Sequence, residues 1–125
     1  MSYMLKKLAG YAAGLALVVS ASMIAASPAE AATARCIVPG TGCTTGSIPA
    51  NSGGHWVYYY WDSGLSAVGC SMRIVDVANG AIVYSGRVGV ASHRYGYVYG
   101  LYGSYRMEMY NCSTGAVGYI RNTVT

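Results

Sequence analysis

Short runs of β-branched and aromatic residues, each ending near glycine, asparagine or serine, dominate the chain from position 55 onward. Within several runs apolar and polar side chains alternate, as Met72 and Ile74 alternate with Ser71 and Arg73, and this period of two is typical of β-strands. Beyond position 31 no window of a dozen residues sustains a helical period. The pattern predicts six strands: HWVYYYWD (55–62), CSMRIVDVA (70–78), AIVYSGRV (81–88), RYGYVYGL (94–101), SYRMEMYNC (104–112) and AVGYIRN (116–122).

Six strands at about ten-residue spacing indicate an all-β protein, either a small antiparallel β-sandwich or a small barrel, and we favour the sandwich. Asn79-Gly80, between two of the strands, predicts a two-residue type I′ hairpin. The preceding residues 32–54 are rich in Gly, Thr, Ser and Pro and lack periodicity. They predict an extended N-terminal arm with a short cysteine loop, followed by the sandwich domain at 55–125.

The first 31 residues have the pattern of a signal peptide. A positively charged start is followed by an apolar run over 8–26 and then by PAEA at 28–31, whose small residues suit signal peptidase. We expect the cut after Ala31, with Ala34 as second choice. A membrane anchor is the less favoured alternative, because the run has a polar exit and no stop-transfer pattern follows it. The mature protein is therefore predicted to be secreted and extracellular, without a membrane span.

The charge of the mature chain argues against a nucleic-acid partner. Of the eight Lys and Arg residues two lie in the leader, so six arginines remain against three acidic residues, a net charge of +3. These cations are scattered along the sequence, whereas surfaces that follow phosphates cluster them on one face.

Four cysteines in a small exported chain predict two disulfides rather than a metal site. Three pairings are possible, and we favour Cys36–Cys43, which closes CIVPGTGC, together with Cys70–Cys112 between two strands. The loop-entropy relation gives roughly 2–3 kcal/mol of stabilisation for the first bridge and about 4 kcal/mol for the second. Zinc is not expected, because the cysteines lack C-x-x-C spacing.

Nothing in the sequence indicates catalysis, and no cofactor is implied. His55 and His93 lack a G-x-S-x-G nucleophile setting, and with all four cysteines in disulfides no thiol is left. Of the three acids, Glu108 stands two residues from Arg106, where an exposed ion pair explains it. We therefore expect no catalytic and no metal-binding residues.

Two sets of residues are candidates for a binding surface. Alternation puts three tyrosines of the fourth predicted strand on one face and glycines on the other, so the tyrosines are either core or a binding surface. We favour core, and expect Tyr97→Ala to unfold the domain. The arm, punctuated by proline, suits addition as a strand to a partner, and we expect it to be dispensable for folding. The arm candidates are Ile37, Val38, Pro39, Ile48 and Pro49; the aromatic candidates are Trp56, Tyr58, Tyr60, Tyr95, Tyr97 and Tyr99.

Three resemblances to exported proteins bear on function. GGHWVYYY, Gly53 to Tyr60, is similar to the opening of lactococcin-972-type bacteriocins, small β-sandwiches that interfere with cell-wall synthesis. Size, leader and two disulfides resemble tendamistat-type amylase inhibitors, but their Trp-Arg-Tyr triplet is absent. The layout of Ala-rich leader, Gly/Thr arm with a Cys loop and strand-rich domain ending YNCSTGAVGYIRNT resembles small exported actinobacterial proteins such as the adaptor subunit of umbrella toxin particles. That resemblance implies an arm laid into a partner as an added strand.

These observations predict a secreted, non-enzymatic module that binds another secreted protein, as an adaptor in an extracellular, toxin-like assembly. A free-standing inhibitor or bacteriocin is the first alternative. A lectin-like sugar binder is the second, and it is less favoured because only Asp62 and Asn51 near the aromatic run can hold sugar hydroxyls.

Overall fold

Two antiparallel sheets form the protein, as the strand pattern predicts. The computed structural model describes residues 31–65 and 67–124, so the signal peptide predicted at 1–31 lies almost wholly outside the described residues. In those ranges there is no helix, and hence none that is long and apolar enough to cross a membrane. The strands are β1 Thr33–Ile37, β2 Cys43–Thr44, β3 Ile48–Pro49, β4 Trp56–Asp62, β5 Cys70–Asp76, β6 Ile82–Val88, β7 His93–Tyr99, β8 Ser104–Tyr110 and β9 Val117–Arg121.

The four-stranded sheet has the order β1-β9-β4-β7, and the five-stranded sheet has the order β2-β8-β5-β6 with β3 also paired to β8. β4 to β9 correspond one by one to the six predicted strands, and the all-β prediction is confirmed. Every pair of neighbouring strands is antiparallel. The inward faces enclose one apolar core, in which Trp61, Met72, Ile74, Met107 and Ile120 are fully buried.

The turn between β5 and β6 is longer than the sequence predicts. The hairpin is present, but residues 77–81 form its loop, and only Gly80 takes a positive φ, of 75°. A type I′ turn would need Asn79 in that region as well. Asp76 stabilises the longer loop through two hydrogen bonds. Its carboxylate accepts the Ala78 N–H at 2.9 Å, and its backbone carbonyl accepts the Gly80 N–H at 2.8 Å.

Residues 32–54 are built into the sandwich, whereas we expected an arm apart from it. β1 is a full member of the four-stranded sheet, and β2 and β3 both pair with β8. Val38 and Ile48 are core residues, 1% and 3% exposed. The physical reason is that β8 and β9 would otherwise be edge strands with a row of unpaired backbone N–H and C=O groups, which these residues cover.

Both favoured disulfides are present, and the described residues contain no free cysteine. Cys36–Cys43 joins the end of β1 to β2 and therefore links the two sheets at one side. Cys70–Cys112 ties the start of β5 to the residues after β8, and both of its cysteines are buried.

β7 lies close against the core at Gly96, where the absence of a side chain leaves space for a core ring. Gly96 is the register partner of Tyr59, and a Cβ atom at Gly96 would lie 2.8 Å from the Tyr59 hydroxyl oxygen. The Tyr59 ring fills this space and stacks on Tyr84 of the opposite sheet, with ring centroids 4.5 Å apart. Burial, together with a hydrogen bond to Tyr84, raises the pKa of Tyr59 well above its usual range.

The two disulfides should differ in their contribution to stability. Replacing Cys70 and Cys112 by alanine should lower the free energy of unfolding by about 4 kcal/mol, because that bridge closes the longer loop. Replacing Cys36 and Cys43 should cost about 2.5 kcal/mol. Urea unfolding of the two double variants and the parent measures the difference, and equal losses would contradict this loop-size account.

Alkaline pH should weaken the fold through Tyr59. Its folded-state pKa is raised above the ordinary value near 10, so its stabilising effect is complete below pH ~10 and is lost as the pH rises further. Urea unfolding at pH 8 and pH 11 should therefore show a smaller loss for Tyr59→Phe, which has no hydroxyl to ionise, than for the parent. Equal losses in the two proteins would show that Tyr59 does not set the alkaline limit.

Candidate functional site

The outward side of the four-stranded sheet is an array of aromatic rings, which we call the aromatic face. Alternation along β4 and β7 turns every second side chain outward, and the register pairs Trp56 with Tyr99, Tyr58 with Tyr97 and Tyr60 with Tyr95. β9 adds one more ring, Tyr119, as the register partner of Tyr60. The aromatic face thus consists of Trp56, Tyr58, Tyr60, Tyr95, Tyr97, Tyr99 and Tyr119.

The tyrosines of β7 are exposed rather than part of the core. Tyr95 is 62% exposed, Tyr97 41% and Tyr99 68%, while the rings of β4 are half-buried among their neighbours. We favoured core for these tyrosines, and the difference arises on the other side of the strand. There Gly96 accommodates Tyr59 and Val98 packs against the core, so the tyrosines are not needed inside.

Contacts between neighbouring rings hold the aromatic face together. Tyr97 lies edge-on to Trp56 at 5.0 Å and to Tyr58 at 5.1 Å, measured between ring centroids. Tyr60 stacks on Tyr119 at 5.2 Å, and Tyr97 stacks on Tyr99 at 5.9 Å. Offset-stacked and edge-to-face pairs contribute about 0.5–1.5 kcal/mol each beyond the area they bury. The rings are therefore ordered before any partner arrives.

Two residues of β9 belong to this surface and were not among the sequence candidates. Tyr119 joins the rings, and the Arg121 guanidinium lies 4.1 Å from the centroid of the Tyr58 ring as a cation–π contact. The alternation of Val117, Tyr119 and Arg121 along VGYIR could have identified them. What the sequence lacked was the pairing of β9 beside β4.

Burial raises the pKa values of Tyr58 and Tyr60. Desolvation is the first cause for both, followed for Tyr58 by the neighbouring Tyr119. For Tyr60 the second cause is the hydrogen bond that its hydroxyl donates to Asp62 Oδ2 at 3.0 Å. Both rings are thus neutral at physiological pH and present hydroxyl groups rather than charges.

A pocket of about 450 Å³ lies at one end of the aromatic face. Tyr60, Tyr119 and Val117 line it from β4 and β9, and Asp62 and Arg35 bring opposite charges. Two glycines complete it, so that the lining is Arg35, Tyr60, Asp62, Gly64, Gly115, Val117 and Tyr119. The aromatic face therefore has an exposed array of rings over β4 and β7 and a concave, polar end over β9.

The arm candidates do not form one surface. Val38 and Ile48 are buried in the core and Pro49 is half-buried, whereas Ile37 and Pro39 are exposed. Ile37 is the register partner of Val117, which places it at the margin of the aromatic face. Strand addition by this segment would require β1 to leave the sheet.

His55 and His93 lie at separate places. His55 precedes β4 with a positive φ of 56° instead of lying within that strand, and its ring stacks on Tyr102 at 4.3 Å. His93 starts β7 opposite Asp62 and stacks on Tyr60 at 5.7 Å. Across 31–65 and 67–124, no three His, Cys, Asp or Glu side chains are grouped so that they could hold a metal ion.

The outward side of the five-stranded sheet carries charged side chains, with the Arg73 guanidinium 4.9 Å from the centroid of the Tyr110 ring. Glu108 accepts a hydrogen bond from Arg106 Nε at 2.8 Å, as the sequence predicts, and a second from Arg73 Nε at 2.7 Å. The two guanidinium groups, Arg73 first, hold the pKa of Glu108 below its usual range. The two outer faces of the sandwich therefore offer different chemistry.

Comparison with family models, with curated proteins and with solved structures finds no match for this chain. The resemblances to the umbrella-particle adaptor and to the lactococcin-972-type bacteriocins stay predictions.

Two tyrosines on adjacent strands should respond differently to truncation. Tyr97→Ala should leave the protein folded, with a loss of about 2 kcal/mol, because its ring is outside and contributes only its contacts with three neighbouring rings. Tyr59→Ala should cost about 3–5 kcal/mol, because it empties the space over Gly96 in the core. Circular dichroism with urea unfolding compares them. An unfolded Tyr97→Ala protein would show that the β7 tyrosines are core residues, as the sequence suggested.

Proposed function

We propose that this chain is a secreted, non-enzymatic module that binds another extracellular protein through its aromatic face. The observation that carries the proposal is the array of seven rings turned outward from one sheet, three of them more than 40% exposed. Large exposed aromatic patches on small proteins are typical of interaction sites.

The residue types of the aromatic face and the fixed positions of its rings both favour a protein partner. Tyr, Trp and Arg are the residues most enriched at the centres of protein interfaces. Tyrosine supplies a large contact area with few rotatable bonds, so little conformational entropy is lost on binding. The ring contacts around Tyr97 lower that cost further, since they fix the rings beforehand.

The size of the aromatic face suits the centre of an interface. A seven-residue strand is about 23 Å long, and the three strands that carry the rings are about 10 Å across between their axes. A standard interface buries about 800 Å² on each partner, so the neighbouring loops would have to contribute its margin. The partner that fits is a folded protein with apolar side chains at the centre of its own patch and carboxylates at the edge, opposite Arg35.

A role as an adaptor in an extracellular assembly is part of the proposal. An adaptor must contact two partners, and the two sheets present outer faces of different character. One is aromatic, while the other carries the Glu108 carboxylate paired with Arg73 and Arg106, and Arg87 beside Ser71. Each face can therefore select its own partner.

Secretion is supported by the two disulfides, which are compatible with an oxidising extracellular location. Cleavage after Ala31 suits the fold, because it leaves β1 whole and keeps Ala32, whose backbone N–H donates to Asn122 Oδ1 at 2.8 Å. A cut after Ala34 would remove two of the five residues of β1.

The test is the recovery of a complex from culture medium. The tagged parent should elute from size-exclusion chromatography with a partner in fixed stoichiometry, at a mass measured by light scattering. Tyr97→Ala/Tyr99→Ala should elute as a folded monomer, because it lacks two of the most exposed rings. Tyr110→Ala is the matched control for the aromatic face, since Tyr110 lies on the outer side of β8 in the other sheet, and it should keep the partner that binds the aromatic face.

Each contrary outcome has a distinct meaning. Loss of the partner by Tyr110→Ala alone would move the binding surface to the five-stranded sheet. A parent protein that is always monomeric would argue for a free-standing inhibitor instead of an adaptor.

A further inference from the structure

We propose that the pocket at the end of the aromatic face, bounded by Arg35, Tyr60, Asp62 and Tyr119, binds one ring of a neutral pyranose sugar. This goes beyond the binding of a protein partner. It rests on the concave end of the surface over β9, whereas the protein partner is assigned to the exposed rings of β7 and the half-buried rings beside them on β4.

The pocket contains an aromatic platform. Tyr60 and Tyr119 are register partners, and their rings stack at 5.2 Å with only 20° between their planes. Rings stacked at this separation are offset, so part of a ring face stays uncovered, and the C–H groups of a pyranose can lie against it. A tyrosine is neutral at physiological pH, and burial raises the pKa of Tyr60 further, so no phenolate charge disturbs this surface.

The Asp62 carboxylate is held in place by two hydrogen bonds and still has acceptor positions for a ligand. Its Oδ2 accepts the Tyr60 hydroxyl at 3.0 Å, and its Oδ1 accepts the Gly64 backbone N–H at 2.6 Å. An ionised carboxylate has about four acceptor positions, two on each oxygen, so one position on each oxygen is left. Two acceptors held side by side match two neighbouring hydroxyl groups of a sugar.

Arg35 supplies donors from the other side of the pocket. It lies on β1 and lines the cavity, and within the part of the chain that the structure describes no hydrogen bond or ion pair engages its guanidinium. Its five N–H groups are thus available for the oxygens of a ligand. No contact of 4.0 Å or less joins it to Asp62, and the space between them is the pocket itself.

The two charges favour a neutral ligand. An acidic sugar would meet the carboxylate of Asp62, and an amino sugar would meet the guanidinium of Arg35. A zwitterionic amino acid also balances the charges, but its two charged groups are separated by a single carbon atom. Arg35 lies on β1 and Asp62 lies on β4, on either side of β9. The axes of β1 and β4 are about 10 Å apart. A pyranose, with hydroxyls around its whole ring, can reach both.

The volume agrees with this class of ligand. About 450 Å³ lies at the lower end of the range of roughly 300–1,000 Å³ found for small-molecule sites. This admits one sugar ring with water around it.

Binding can be measured by saturation-transfer NMR and by isothermal titration. The probes are methyl glycosides of glucose, galactose and mannose, with glycine as the zwitterion and glucuronate as the anion. At least one neutral glycoside should bind with a Kd of about 1–10 mM, the weak range expected of a single ring. Glycine and glucuronate should bind at least about tenfold more weakly.

Variants locate the site. Asp62→Asn and Arg35→Gln should each weaken glycoside binding about tenfold or more, because each removes a charge-assisted hydrogen bond. Arg87→Gln, an exposed arginine on the other sheet, is the matched control and should bind like the parent. Tyr97→Ala/Tyr99→Ala should also keep the sugar, so loss of the protein partner and loss of the sugar are separate results. Circular dichroism confirms that each variant is folded.

Several outcomes would overturn the proposal. These are no detectable binding of any neutral glycoside at about 50 mM, which exceeds the whole expected Kd range of about 1–10 mM, preference for glycine or glucuronate, or glycoside binding that survives both Asp62→Asn and Arg35→Gln. The second would reassign the pocket to a charged ligand, and the third would place the sugar elsewhere on the aromatic face.

Discussion

Tyr59 lies over Gly96 on the inner side of the four-stranded sheet, and this pair decides which way the side chains of β4 and β7 point. The two residues are register partners, and the missing Cβ of the glycine is what makes room for the ring. A shift of one residue would exchange the two faces of a strand, taking Tyr59 out of the core. Because Tyr59 is held inside, Tyr95, Tyr97 and Tyr99 must be outside. The aromatic face is therefore a consequence of how the core is packed.

Tyrosine plays both structural roles in a chain that has no phenylalanine. Inside, its hydroxyl needs a partner, and the Tyr105 hydroxyl accepts the backbone N–H groups of Tyr102 and Gly103, each at 3.1 Å. The Tyr59 ring stacks on the ring of Tyr84 in the opposite sheet. Outside, the hydroxyls of the β7 tyrosines reach water, so the same residue type can cover a sheet without making it fully apolar. A face of this kind can be exposed to water in the free protein and still bury a large area against a partner.

The two outer faces of the sandwich carry different kinds of side chains. Rings occupy the four-stranded sheet, and the Arg73–Glu108–Arg106 ion-pair network lies on the five-stranded sheet. The end over β9, with Asp62 and Arg35, differs from both because it is concave and its carboxylate is held in place by two hydrogen bonds before a ligand binds. Protein binding and sugar binding thus rest on separate observations, and an extracellular adaptor that also contacts a glycan would use both.

Local periodicity by itself determined the six main strands and the all-β class, because each depends on the alternation and turn residues of short segments. Cysteine spacing favoured the pairing that the structure has, but it left three pairings possible. The segment at 32–54 gave no periodic signal, and only the unpaired edges of β8 and β9 explain why it becomes strands. Alternation also showed that Tyr95, Tyr97 and Tyr99 share a face, but it cannot tell inside from outside. Which face of β7 is turned inward depends on pairing between segments far apart in the chain. The same pairing brings Arg35, Tyr60 and Tyr119 to one pocket. Only the tertiary structure decides both, since a strand's inner face is defined by what packs against it.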